Sequence, residues 1–208
     1  MNGMGRKALM SGLVLAAGLA AGPAAAHFRL ISPVPTLIQD EKGDPQKKAP
    51  CGGTTANPGK PSGAVTDIKG GQPLHFKLTE TVFHPGHYRV SLARAPEKLP
   101  ADPTTTTRPG TRGPISTSTM IAPQVLPPLL ADGLFMHMIK PAAPQTWEID
   151  LRIPNVDCAN CVIQVVQWMG EHGFNPDGEF SYHHCAVVNI KRDPKLPADR
   201  AWLAALKI

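Results

Sequence analysis

The sequence predicts an all-β protein, an antiparallel β-sandwich with long loops and two disulfides. Three observations carry this expectation. The chain of 208 residues contains 23 Pro and 19 Gly, and so much proline is hostile to helix interiors. Several short segments alternate apolar and polar residues with the period of two that a half-buried strand requires. Four cysteines remain once an N-terminal leader is set aside, which in an exported chain favours two disulfides with three possible pairings. At 42% hydrophobic and 18% charged residues, the chain is apolar enough to build a core rather than stay disordered.

Residues 1–26 read as a secretory signal peptide. Arg6 and Lys7 form a positive start, 8–22 is an apolar stretch, and Ala24-Ala25-Ala26 supplies small residues for cleavage. The apolar stretch is short for a membrane span, so no membrane association is expected after cleavage. The expected destination is the periplasm or the medium. The mature chain then begins at His27 and carries 19 basic against 16 acidic side chains, a net of +3. These charges are scattered and aromatics are only 5% of residues, a poor basis for nucleic-acid binding.

Along the mature chain, 28–34 is a short first strand ended by proline. Residues 35–72, polar and rich in Gly, Pro and Lys, are a long loop carrying Cys51. Strands follow at 73–80 and 88–94, separated by the turn His84-Pro85-Gly86-His87. Residues 95–130 are a surface insertion, low in complexity around Thr104 to Thr107, either mobile or shaping a binding face. Strand patterns return at 146–153, 162–169 and 179–191, and 196–208 suits one short helix with Asp199 near its start. No internal repeat or linker divides the chain, so 27–208 is expected to be one domain and a monomer.

The predicted first residue of the mature chain is a histidine. Its free α-amine and ring Nδ1 can chelate one metal, and a second imidazole would complete a three-nitrogen histidine brace. Nitrogen ligands in tetragonal geometry suit Cu(II). His84, in a turn held between two strands, is the expected second ligand, with His87 as the alternative, although His87 at a strand start could simply face solvent. In Tyr182-His183-His184-Cys185, strand alternation puts Tyr182 and His184 on one face. Tyr182 suits an axial position at the metal. His184 suits a supporting hydrogen bond or a third imidazole. His75 and His137 read as packed or surface histidines, and His172 as a rim residue in a Gly-rich loop. Asp177 and Glu179 make no carboxylate pair for glycoside hydrolysis, and no nucleophile elbow, P-loop or dinucleotide fingerprint is present.

His27-Phe28-Arg29-Leu30 after a leader, the His-x-Gly turn at His84, and Tyr182-x-x-Cys185 together resemble the lytic polysaccharide monooxygenases. The segments Ile153-Pro154, Cys158-Ala159-Asn160-Cys161, Gln164 and Gln167-Trp168-Met169 are similar to a bacterial polysaccharide-monooxygenase-like group within them. The resemblance implies an immunoglobulin-like β-sandwich, copper held by His27 and His84 with Tyr182 axial, an external electron donor, and oxidative cleavage of a polysaccharide. Phe180 stands where cellulose-active members often carry Gln, and few aromatics are available for a flat polymer surface. The alternative is an exported protein that buffers or delivers copper without catalysis. Cys158-x-x-Cys161 lacks the further ligands zinc needs and lies outside any βαβ pattern. A local disulfide is expected there, which leaves Cys51 to pair with Cys185.

Overall fold

A computed structural model describes residues 27–207. The expected leader, 1–26, lies outside the described residues. The strands are β1 (His27–Ser32), β2 (Val65–Lys69), β3 (Pro73–Val82), β4 (Gly86–Ala93), β5 (Thr105–Arg108), β6 (Ile115–Thr119), β7 (Leu129–His137), β8 (Gln145–Arg152), β9 (Cys158–Met169) and β10 (Ser181–Lys191), followed by helix α1 (Arg200–Leu206). They form a three-stranded sheet in the order β1-β3-β8, a five-stranded sheet in the order β2-β10-β9-β4-β7, and a separate two-stranded ribbon, β5-β6.

Alternation explains how one core forms between the two larger sheets. Phe28 and Leu30 of β1 point inward with Leu74, Phe76 and Leu78 of β3. Opposite them stand Tyr88, Val90 and Leu92 of β4, Ile163 and Val165 of β9, and Tyr182, Val188 and Ile190 of β10. Phe28 meets Tyr88 edge-on at 5.2 Å across the core. Burial of such side chains, at ~25 cal/mol per Å² of apolar surface, is the main stabilising term.

The pairing is antiparallel with one exception. β2 runs parallel to β10, Val65 opposite Val187 through Lys69 opposite Lys191, so the larger sheet is mixed. The 35–72 loop therefore contains a strand. Residues 95–130 contain the β5-β6 ribbon, and its apolar end leads into edge strand β7. The ribbon has no apolar stripe; hydrogen bonds hold it. Trp168 Nε1 donates to Thr105 Oγ1 at 2.9 Å, Ser116 Oγ donates to the Met169 carbonyl at 2.6 Å, and the Ser116 amide donates to the His172 carbonyl at 2.9 Å.

Both expected disulfides are present, Cys51–Cys185 and Cys158–Cys161. Such bonds persist in oxidising compartments. No helix among the described residues is long and apolar enough to cross a membrane.

Candidate metal centre

The start of β1, the turn between β3 and β4, the loop before β10 and the first residues of β10 meet at one end of the two sheets. They bring together His27, His84, His172 and Tyr182, all buried. The His84 and His172 rings are 4.8 Å apart, nearly edge to face. Tyr182 lies 5.5 Å from the His27 ring and 6.2 Å from that of His172. Three of the four residues are those expected from the sequence. His172 lines the cluster rather than standing at its rim.

Protonation favours nitrogen lone pairs here. Burial, reinforced by the neighbouring rings of His172 and His27, pushes His84 down to about 4. At neutral pH it is an uncharged imidazole. His27 Nε2 faces Asp44 Oδ2 at 2.9 Å. An ionised carboxylate only accepts, so Nε2 is the nitrogen that donates to Asp44. The His27 hydrogen bond is also the first cause that holds the Asp44 carboxyl below its usual range. Burial pushes the Tyr182 hydroxyl well up, so it stays protonated.

Local chain chemistry places these groups. Gly43 has φ +103 and passes so close to the Phe28 carbonyl that a Cβ would overlap it, which delivers Asp44 to His27. Gln46 Oε1 accepts from the Phe28 amide at 3.0 Å, and the Gln46 carbonyl accepts from the His183 amide at 2.7 Å. One loop thus joins the strand of His27 to the strand of Tyr182. At the His84 turn, Gly86 lies against the Trp168 carbonyl with no room for a Cβ.

The other histidines divide clearly. His87 faces the opposite side of β4, buried and stacked at 5.5 Å on Trp168, with Asp132 3.9 Å from Nδ1; solvent exposure is ruled out. His184 does share a strand face with Tyr182, but it sits behind Phe28. Its Nε2 faces the Phe28 carbonyl at 3.1 Å and its ring is 4.7 Å from that of Phe28. It bears on the site through that backbone rather than as a third imidazole beside His27. Burial pushes it down to about 4. His75 is a surface residue paired with Asp150. His137 is buried against Glu80.

Among the described residues, no three His, Cys, Asp or Glu side chains form a metal-holding group by themselves. No protein-family model matches the chain, and no curated protein matches it.

Proposed function

We propose that the mature protein is an exported copper-dependent oxidoreductase of the lytic polysaccharide monooxygenase type, with the two sheets forming an immunoglobulin-like sandwich. The observation that carries this reading is the meeting of His27 and His84. A residue expected to begin the mature chain and a turn histidine more than fifty positions away converge beside a buried tyrosine. A brace takes one of its three nitrogens from the chain terminus, so it needs only two histidine side chains. The Asp44 contact engages His27 through Nε2, and burial keeps His84 uncharged; both fit a nitrogen donor set for copper.

Copper, when bound, would supply redox chemistry with oxygen, fed by an external electron donor. The chain's part is to hold two imidazoles in place, keep their tautomers fixed and set the protonated Tyr182 hydroxyl beside them. His172 and Asp44 support the ligands from outside. The cleaved material would be a polysaccharide, and the protein would act in the periplasm or the medium.

A second reading has its own supporting observation. His172 stands against His84, and a third imidazole would close the copper's coordination and favour storage or delivery over catalysis.

Cu(II) titration calorimetry on two forms tests the proposal, one beginning at His27 and one carrying a single extra residue before it. Tight one-to-one binding that the extra residue abolishes is expected. Equal affinity in both forms overturns the brace. Oxidised oligosaccharides released with a reductant then separate enzyme from carrier.

A further inference from the structure

The inward row of β3 reads Leu74, Phe76, Leu78 and then Glu80, a carboxylate at a core position and only 2% exposed. One of its oxygens, Oε1, gathers three donors from three parts of the chain. The His84 amide donates at 3.3 Å, His137 Nε2 at 3.0 Å and Gln167 Nε2 at 2.8 Å. His137 Nδ1 points to the Phe135 carbonyl at 2.6 Å. Both ring nitrogens of His137 therefore face acceptors, and a histidine that donates from both is a cation. Glu80 and His137 form a buried ion pair directly beneath the His84 turn. β7 brings His137 there by pairing it with Gly86, two residues past His84.

Such a pair is a poor device for stability. Apolar residues of similar volume usually serve a core as well or better, because two charges must first be stripped of water. What it supplies is direction: charge-assisted hydrogen bonds at fixed geometry. Without Glu80, the His84 amide would be a buried donor without an acceptor, and the turn would be free to re-pack.

We propose that Glu80, clamped by His137 and Gln167, is the positioning residue for His84: it fixes the turn's backbone from below and so sets where the imidazole points. Its significance for copper rests on the reading given above; its geometry does not.

The test uses the mature protein and two variants, Glu80→Gln and the double variant Glu80→Leu with His137→Leu. The double variant removes both charges together and keeps the fold accessible should the single one fail to fold. In the copper-free double variant, which leaves no acceptor at position 80, hydrogen exchange of the His84 amide is expected to quicken by about tenfold, as loss of one buried hydrogen bond implies, and the His84 ring resonances to shift; Glu80→Gln, whose amide oxygen still accepts, should shift the ring resonances with a smaller change in exchange. Amides in β10 such as Val188 should keep their parent rates. With Cu(II) added, the electron paramagnetic resonance spectrum should change its hyperfine splitting even where the melting temperature matches the parent, a change a merely structural role would not produce. Parent-like exchange and ring resonances at His84 in the folded double variant, or parent-like ring resonances in both variants, overturn the inference. If the parent itself shows no brace copper, the proposed function fails, and the copper-free exchange result still decides the positioning role.

Discussion

At the scale of single residues, the candidate centre depends on where protons sit. In the proposed brace His27 would offer Nδ1 to the metal, with its Nε2 hydrogen held by Asp44 Oδ2 at 2.9 Å. Loss of such an outer carboxylate typically weakens metal binding by about 10–100-fold. Asp44→Asn is therefore expected to weaken Cu(II) binding into that range at pH 7, read by chelator competition, while the copper-free melting temperature changes little because Asp44 is part-exposed. Unchanged affinity would mean that the tautomer is set elsewhere. Sequence reasoning found His27, His84 and Tyr182 because each carries chemistry where a ligand is expected: a chain start, a rigid turn and a strand end. Asp44 has no such mark. It reaches His27 only through the left-handed Gly43 and the folding back of a long loop. Glu80 was within reach of the alternation argument, since a carboxylate in the inward row of a strand must find partners or stay out of the core.

At the scale of elements, six strands lie on segments that the sequence marks as strands, β1, β3, β4, β8, β9 and β10, although burial alternates strictly only in β3 and β8 among them. The rest lie on no such segment, for physical reasons. β2 is a half-exposed edge whose only pairing is parallel and more than a hundred residues distant. β7 carries Asp132 and Gly133 in its middle. Asp132 is held by Arg89 and by two backbone amides, not by apolar packing. The β5-β6 ribbon is a run of hydroxyl and Arg side chains anchored by Trp168, Met169 and His172, partners no local pattern reveals. β9 is buried on both faces, since Cys51's loop and the 95–130 segment cover its outer side. The two disulfides should therefore differ in weight. Cys51–Cys185 closes 134 positions of chain, whereas Cys158–Cys161 closes 3. Loop-closure entropy gives about 5 kcal/mol for the first and about 2 kcal/mol for the second. Denaturant unfolding of Cys51→Ala with Cys185→Ala, against Cys158→Ala with Cys161→Ala, checks this. The first pair should lose clearly more; the reverse order would show that the long loop is held mainly by its hydrogen bonds to His183 and Phe28.

The whole molecule buries an unusual set of imidazoles, and this makes it acid-sensitive in a definite way. Burial pushes His84 and His184 down to about 4 and lowers His87 as well. The folded state keeps these rings uncharged, while the unfolded chain protonates them below about 6.5. Between those limits the unfolded state binds more protons, so stability rises with pH across the window and is lost as pH falls through it. His84 and His184 each contribute a slope of about 1.4 kcal/mol per pH unit, or about 3 kcal/mol for His184 across the whole interval, and His87 adds in the same sense. His137 acts in the opposite sense. Burial works against its charge, but the Glu80 hydrogen bond and the Phe135 carbonyl outweigh it and leave its value raised, so its contribution is complete below about 6.5 and lost at higher pH. Asp44 and Asp132 are both held low, and their contributions vanish only in stronger acid. Domains of ordinary stability hold about 5–15 kcal/mol, so His84 and His184 together can remove a large share of the stability of the copper-free protein as pH falls towards 4. Its unfolding free energy, followed by denaturant titration from pH 7 to pH 4, should fall steeply below 6.5. His184→Leu should flatten that slope by about one proton's worth, 1.4 kcal/mol per pH unit, whatever it does to absolute stability. A parent curve that stays level over the interval would mean that the buried histidines accept protons in the fold as readily as in the unfolded chain.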